Sequence, residues 1–124
     1  MNKKTIDKIY LQRFMESMEN DYEKWTITHC AGAGLSWTEY SSPDYHSPDT
    51  ENGGSNRISF GFSLNHTGAA INGIWSWEIP FSVINPFTKT FWSFRKARIK
   101  MQRFLREKEK NEYLNNLEKI YKAE

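Results

Sequence analysis

Apolar residues recur every third or fourth position at the start of the chain. Ile6, Tyr10, Phe14 and Met18 step by four, and Ile9, Leu11 and Met15 widen the stripe. That period predicts an amphipathic helix over residues 5–19. Thr5 is placed to cap it, Asp7 favours its positive end, and Asn20-Asp21 is a stop signal. From Trp25 the period drops to two. Trp25, Ile27 and His29 alternate with Lys24, Thr26 and Thr28, as in a half-buried strand. Ala31-Gly32-Ala33-Gly34 supplies a turn, and a second strand over 35–40 closes a hairpin.

Residues 41–56, SSPDYHSPDTENGGSN, show no period and are rich in Ser, Asp, Pro and Gly. This is a flexible loop longer than most connections, and loops of that length tend to carry function. A third strand follows, with Ile58, Phe60, Phe62 and Leu64 facing inward. After the turn Asn65-His66-Thr67-Gly68, a fourth strand is expected over 69–79, with Ile71, Gly73, Trp75, Trp77 and Ile79 on one face. Pro80 ends it, because proline cannot donate to a ladder. Phe87, Phe91, Phe94, Arg98, Met101 and Leu105 then step by three and four along a long helix, expected over 88–122 with a break near Lys110-Asn111. Leu114, Leu117 and Tyr121 resume the spacing beyond it. The order helix, four strands, helix predicts an α+β domain spanning residues 1–124. In it a four-stranded antiparallel meander carries the N-terminal and C-terminal helices on one face.

Composition supports a single core. In 124 residues, 38% are apolar and 15% aromatic, so a few large rings do much of the burying. Cys30 is the sole cysteine, which excludes an intramolecular disulfide. The charged N-terminus lacks the apolar run of a signal peptide, and no stretch reaches the ~20 apolar residues of a membrane span. A cytoplasmic protein without a membrane partner is the expectation.

Charge adds one more feature. Net charge is only +2, but residues 95–110 hold eight basic side chains against Glu107 and Glu109, and residues 21–56 hold six acids against Lys24. Such a separation can steer a partner or hold parts of one fold together. On a helix, Lys96, Lys100 and Arg103 share a strip flanked by Arg95, Arg106 and Lys110. A nucleic-acid backbone, an anionic membrane or an acidic protein would accept that strip. The ordinary reading of such a strip is a solvated helix face.

Catalytic chemistry finds little support. His29 and Cys30 are neighbours on a strand and point to opposite faces, so they cannot share one ion there. Asp44, His46 and Asp49 lie together in the loop without a recognised ligand pattern. Cys30 would act as a nucleophile only if its pKa were lowered, and no GxSxG elbow or phosphate-binding loop is present. Trp75 and Trp77 lack the interleaved cations of a nucleobase platform, so packing beneath the helices is expected of them.

The expectation is therefore a small regulatory or inhibitory protein, without catalytic residues, cofactor or metal, that occludes a protein partner. Accessory proteins of phages or mobile elements that block a host system have this size and style. The candidate contact residues are Arg95, Lys96, Lys100, Arg103 and Arg106 on the helix, with Tyr45 and His46 in the loop. Nucleic-acid binding through residues 95–110 is the first alternative. A ligand-binding domain or enzyme with residues 41–56 as a lid, over a pocket lined by Trp and His29, is the second. The tail 111–124 is expected either to fray or to pair with a partner helix, a second copy of the chain included.

Overall fold

A computed structural model of the chain describes residues 4–6, 8–46, 57–63 and 66–122. Its elements run β1 (Lys4–Thr5), α1 (Lys8–Asn20), a 3-10 turn (Tyr22–Lys24), β2 (Thr26–Gly32), β3 (Leu35–Ser41), β4 (Tyr45–His46), β5 (Arg57–Phe62), β6 (Thr67–Ile71), β7 (Ile74–Glu78), α2 (Phe81–Ile84) and α3 (Lys89–Lys122). The strands form one sheet in the order β1-β7-β6-β5-β3-β2, with β4 also paired to β5. All pairings are antiparallel except that of β1 with β7. The α+β class holds, as does an antiparallel sheet carrying an N-terminal helix and a long C-terminal one.

The core is aromatic, and it sits where α1 and α3 cross the sheet. Phe14 of α1 is fully buried, with its ring centroid 5.0 Å from Phe60 of β5, 5.1 Å from Phe94 of α3 and 6.0 Å from Trp25. Tyr40 stacks on Phe62 at 5.0 Å, joining β3 to β5. Tyr10, Phe14 and Met18 supply the buried stripe of α1, and Phe94, Ala97, Met101 and Leu105 that of α3. Both stripes follow the three-and-four spacing of the sequence.

Several expected details are corrected. Helix α1 starts at Lys8, because Thr5 belongs to β1 and the Ile6 amide donates to the Glu78 carbonyl at 2.7 Å. Ile9 points outward and is 62% exposed. The single strand expected over 69–79 is two strands, so the meander has five members, with β1 and β4 added at its margins. Asn72 (φ 52°) and Gly73 (φ 83°) make the turn between them, and both lie in the left-handed region that a two-residue hairpin of type I′ requires. The fold in the strand moves Trp75 to the face opposite the helices. A β-carbon on Gly61, which points away from Phe60 and Phe62, would lie 2.7 Å from the Trp75 ring. Trp75 thus covers a glycine on the outer face and stays 39% exposed. The side chain of Trp77 lies outside the described residues, as do loop positions 47–56. Ser41, Tyr45 and His46, assigned to the loop by sequence, belong to strands.

Two parts project beyond the core. The β2–β3 hairpin pairs over seven residue pairs, yet β3 meets β5 only at Tyr40 and Ser41. Helix α3 runs unbroken through Lys110-Asn111, and Leu105 is its last buried residue. At 1.5 Å per residue its 34 residues span about 51 Å, so about half of the helix is an exposed arm. His29 Nε2 and Glu109 Oε2, 2.8 Å apart, link hairpin to arm.

Candidate functional site

The basic residues predicted to form a strip are arranged by the helix itself. At 100° per residue, Arg95, Arg103, Arg106 and Lys110 fall within about 40° of one outward line, opposite buried Ala97 and Met101. The same line carries Trp92 at one end, 58% exposed, and exposed Tyr113 and half-buried Leu117 at the other, with exposed Ile120 beside them. Lys96 and Lys100, expected to share the strip's centre with Arg103, lie to one side of this line. Among the described residues, none of these cations forms an ion pair with a carboxylate. Two have other contacts inside the molecule. Arg106 Nε donates to the Tyr40 hydroxyl at 3.0 Å, and Lys100 Nζ lies 5.2 Å from the centre of the Tyr22 ring. Arg95, Lys96 and Arg103 are exposed.

Tyr45 and His46 do not join this strip. They lie in β4, on the side of the molecule bordered by α1, and Tyr45 ends a chain of hydrogen bonds. Trp25 Nε1 donates to Ser17 Oγ at 3.0 Å. The Ser17 and Tyr45 hydroxyls are 2.6 Å apart, and Tyr45 Oη donates to Asp21 Oδ2 at 2.8 Å. With Tyr45 giving its proton to the carboxylate, Ser17 must donate to Tyr45. Each hydroxyl is then both donor and acceptor, an arrangement in which the bonds polarise one another. Burial of the Tyr45 ring, opposed by the Ser17 hydrogen bond and aided by Asp21, pushes its pKa up to about 12. The backbone carbonyl of His46 accepts from Arg13 Nη1 at 3.3 Å. Sequence periodicity could not have shown this set, because Ser17 and Asp21 read as ordinary helix-end residues.

The other candidates separate in space. His29 bonds to Glu109 and to Thr38 Oγ1 at 3.3 Å, while Cys30 lies near Glu39 on the opposite face. Partial burial first, and Glu39 second, raise the Cys30 pKa, the opposite of what activates a thiol. Among the described residues no three His, Cys, Asp or Glu side chains converge as a metal would need, and Asp49 lies outside them. His29 faces open solvent. No helix of the described residues is long and apolar enough to cross a membrane.

One site went unseen in the sequence. A cleft of about 250 Å³ lies between β5, α2 and the first turns of α3, with Arg95 and Arg98 in its lining. Burial first, and the neighbouring Arg95 second, lower the Arg98 pKa. The available signal was Arg98 itself, which steps in phase with Phe94 and Met101 along the apolar stripe.

Compared with known proteins, the chain matches no family model, no curated protein and no solved structure.

Proposed function

We propose that the protein is a small non-catalytic regulator that works by occluding an acidic protein partner through the outward face of α3. One observation carries the reading. A single line along the helix presents Trp92, then four cations without carboxylate partners among the described residues, then Tyr113 and half-buried Leu117, with Ile120 beside them. Exposed aromatic and aliphatic side chains are what protein interfaces bury, and Trp, Tyr and Arg dominate their binding energy. A phosphate backbone would use the cations and leave the apolar ends in water. Residues 95–110 span about 22 Å of helix, enough for the central part of a standard interface. An inhibitor of a host system, of the kind phages and mobile elements encode, would act in this way.

The test is affinity capture from the native cells after nuclease treatment, comparing wild type with the double variant Arg103→Glu, Lys110→Glu. Both side chains are exposed and outside the core, so the variant should fold. A stoichiometric protein retained by wild type and lost from the variant is the expected result. Loss of all partners on nuclease treatment, with affinity falling steeply as salt is added, would overturn it in favour of nucleic acid.

A further inference from the structure

The cleft beside α2 has a composition unlike the rest of the surface. Phe62, Ile79, Val83, Phe91 and Phe94 line it, with Ile84 at its open side, and its uncharged polar lining is Ser63 and Thr67. Arg95 and Arg98 are three residues apart on α3, so both side chains border the cleft from the same helix. Arg98 is half-buried. Neither arginine has an ion pair among the described residues, and neither has a hydrogen-bond acceptor there.

That arrangement is unfavourable as it stands. A guanidinium that has lost part of its water, beside a second positive charge, needs an anion to offset the desolvation. Arginine does not escape by losing its proton. By contrast, the cleft of about 260 Å³ beside α1 has its hydroxyls already bonded to one another and to Asp21. The α2 cleft therefore combines apolar walls with a cationic pair that no described carboxylate or hydrogen-bond acceptor satisfies.

We propose that this cleft binds a small amphiphilic carboxylate, with its hydrocarbon part against Phe62, Val83 and Phe94 and its carboxylate on Arg98 and Arg95. The planar guanidinium fork matches a carboxylate with two parallel hydrogen bonds. Size restricts the ligand further. The cleft of about 250 Å³ lies below the roughly 300 Å³ at which sites for drug-sized molecules begin, so the tail is short. A nucleotide would leave most of its polar groups facing phenylalanine rings. Occupancy would also tie α2 to α3 through Ile84, which is 59% exposed.

Isothermal titration calorimetry of the full chain tests this, with octanoate, 1-octanol and acetate as probes. Octanoate should bind saturably at one site, and octanol and acetate each about tenfold or more weakly, since each lacks one half of the recognition. Arg98→Gln should lose octanoate by about the same factor while keeping its melting temperature, because the guanidinium has no partner among the described residues. Ile84→Glu, which tethers a carboxylate at the mouth, should exclude octanoate. Equal affinity for octanoate and octanol, unchanged octanoate binding by Arg98→Gln, or no saturable binding of octanoate would each overturn the proposal. Arg95 borders both surfaces, but Arg98→Gln leaves the partner-binding line intact and Arg103→Glu, Lys110→Glu leaves the cleft intact, so the two readings fail separately.

Discussion

Removing one oxygen atom, by Tyr45→Phe, should cost the fold about 2 kcal/mol. The hydroxyl donates to the Asp21 carboxylate at 2.8 Å, and bonds to charged groups contribute roughly 1.5–3 kcal/mol. Its loss also strips the acceptor from Ser17, which is only 4% exposed. That hydroxyl can recover part of the loss by turning to a carbonyl one helical turn back, which keeps the total near 2 kcal/mol. Thermal unfolding followed by circular dichroism should show the midpoint fall by roughly 8 °C.

The same substitution has a signature at alkaline pH. Folding raises the Tyr45 pKa from 10.0 to about 12, so the folded state holds the phenol proton more tightly than the unfolded chain. This contribution is whole below pH 10 and declines as pH rises from 10 to about 12. Unscreened it would amount to about 2.7 kcal/mol, but the ring is partly open to water, which cuts it to about 1 kcal/mol. Wild type should therefore lose that much more stability than Tyr45→Phe across this window. A variant within about 0.5 kcal/mol of wild type at neutral pH, or one whose alkaline decline is unchanged, would refute the reasoning.

Other substitutions probe the sheet and the arm. Gly61→Ala should destabilise by about 2–3 kcal/mol in a urea titration, because the new methyl would sit 2.7 Å from the Trp75 ring and 2.8 Å from the Tyr40 carbonyl oxygen. Trp fluorescence should shift to the red as Trp75 is displaced, and an unchanged spectrum would argue against that contact. Gly73→Ala should lose about 1–2 kcal/mol for its φ of +83°, although its β-carbon would meet open space. Ending the chain after Lys110 should alter the unfolding free energy by no more than about 1 kcal/mol, since every buried residue of α3 precedes that point. The same truncation should abolish partner capture, which separates the arm's role in binding from its role in folding.

Much of this architecture is legible in the order of residues. Period-four spacing from Tyr10 to Met18 and from Phe94 to Leu105 locates two helices and their buried faces. Period-two spacing from Ile58 to Phe62 locates the central strand. The errors have a common origin. Apolar residues on both sides of Asn72-Gly73 suggested one continuous strand, although that dipeptide is a strong hairpin signal. Once the chain turns there, Trp75 changes face. Likewise Thr5 suits a helix cap by type, but the open edge of β7 recruits residues 4–5 into the sheet, and the helix begins later.

The two main helices, their buried stripes and the central strand follow from the sequence alone, because each is set by local periodicity, whereas the break of strand 69–79 into two and the short strands β1 and β4 do not. The tertiary structure decided which distant polar groups meet. Tyr45 joins Ser17 and Asp21 across 28 and 24 positions of chain, and so reads as a structural residue rather than a free contact. Arg98 lies beside a cleft whose walls come from β5, α2 and α3, and that no described carboxylate pairs with it shows only when those elements are assembled. Desolvation and partner identity depend on what lies across the fold, and no spacing along one chain encodes them directly.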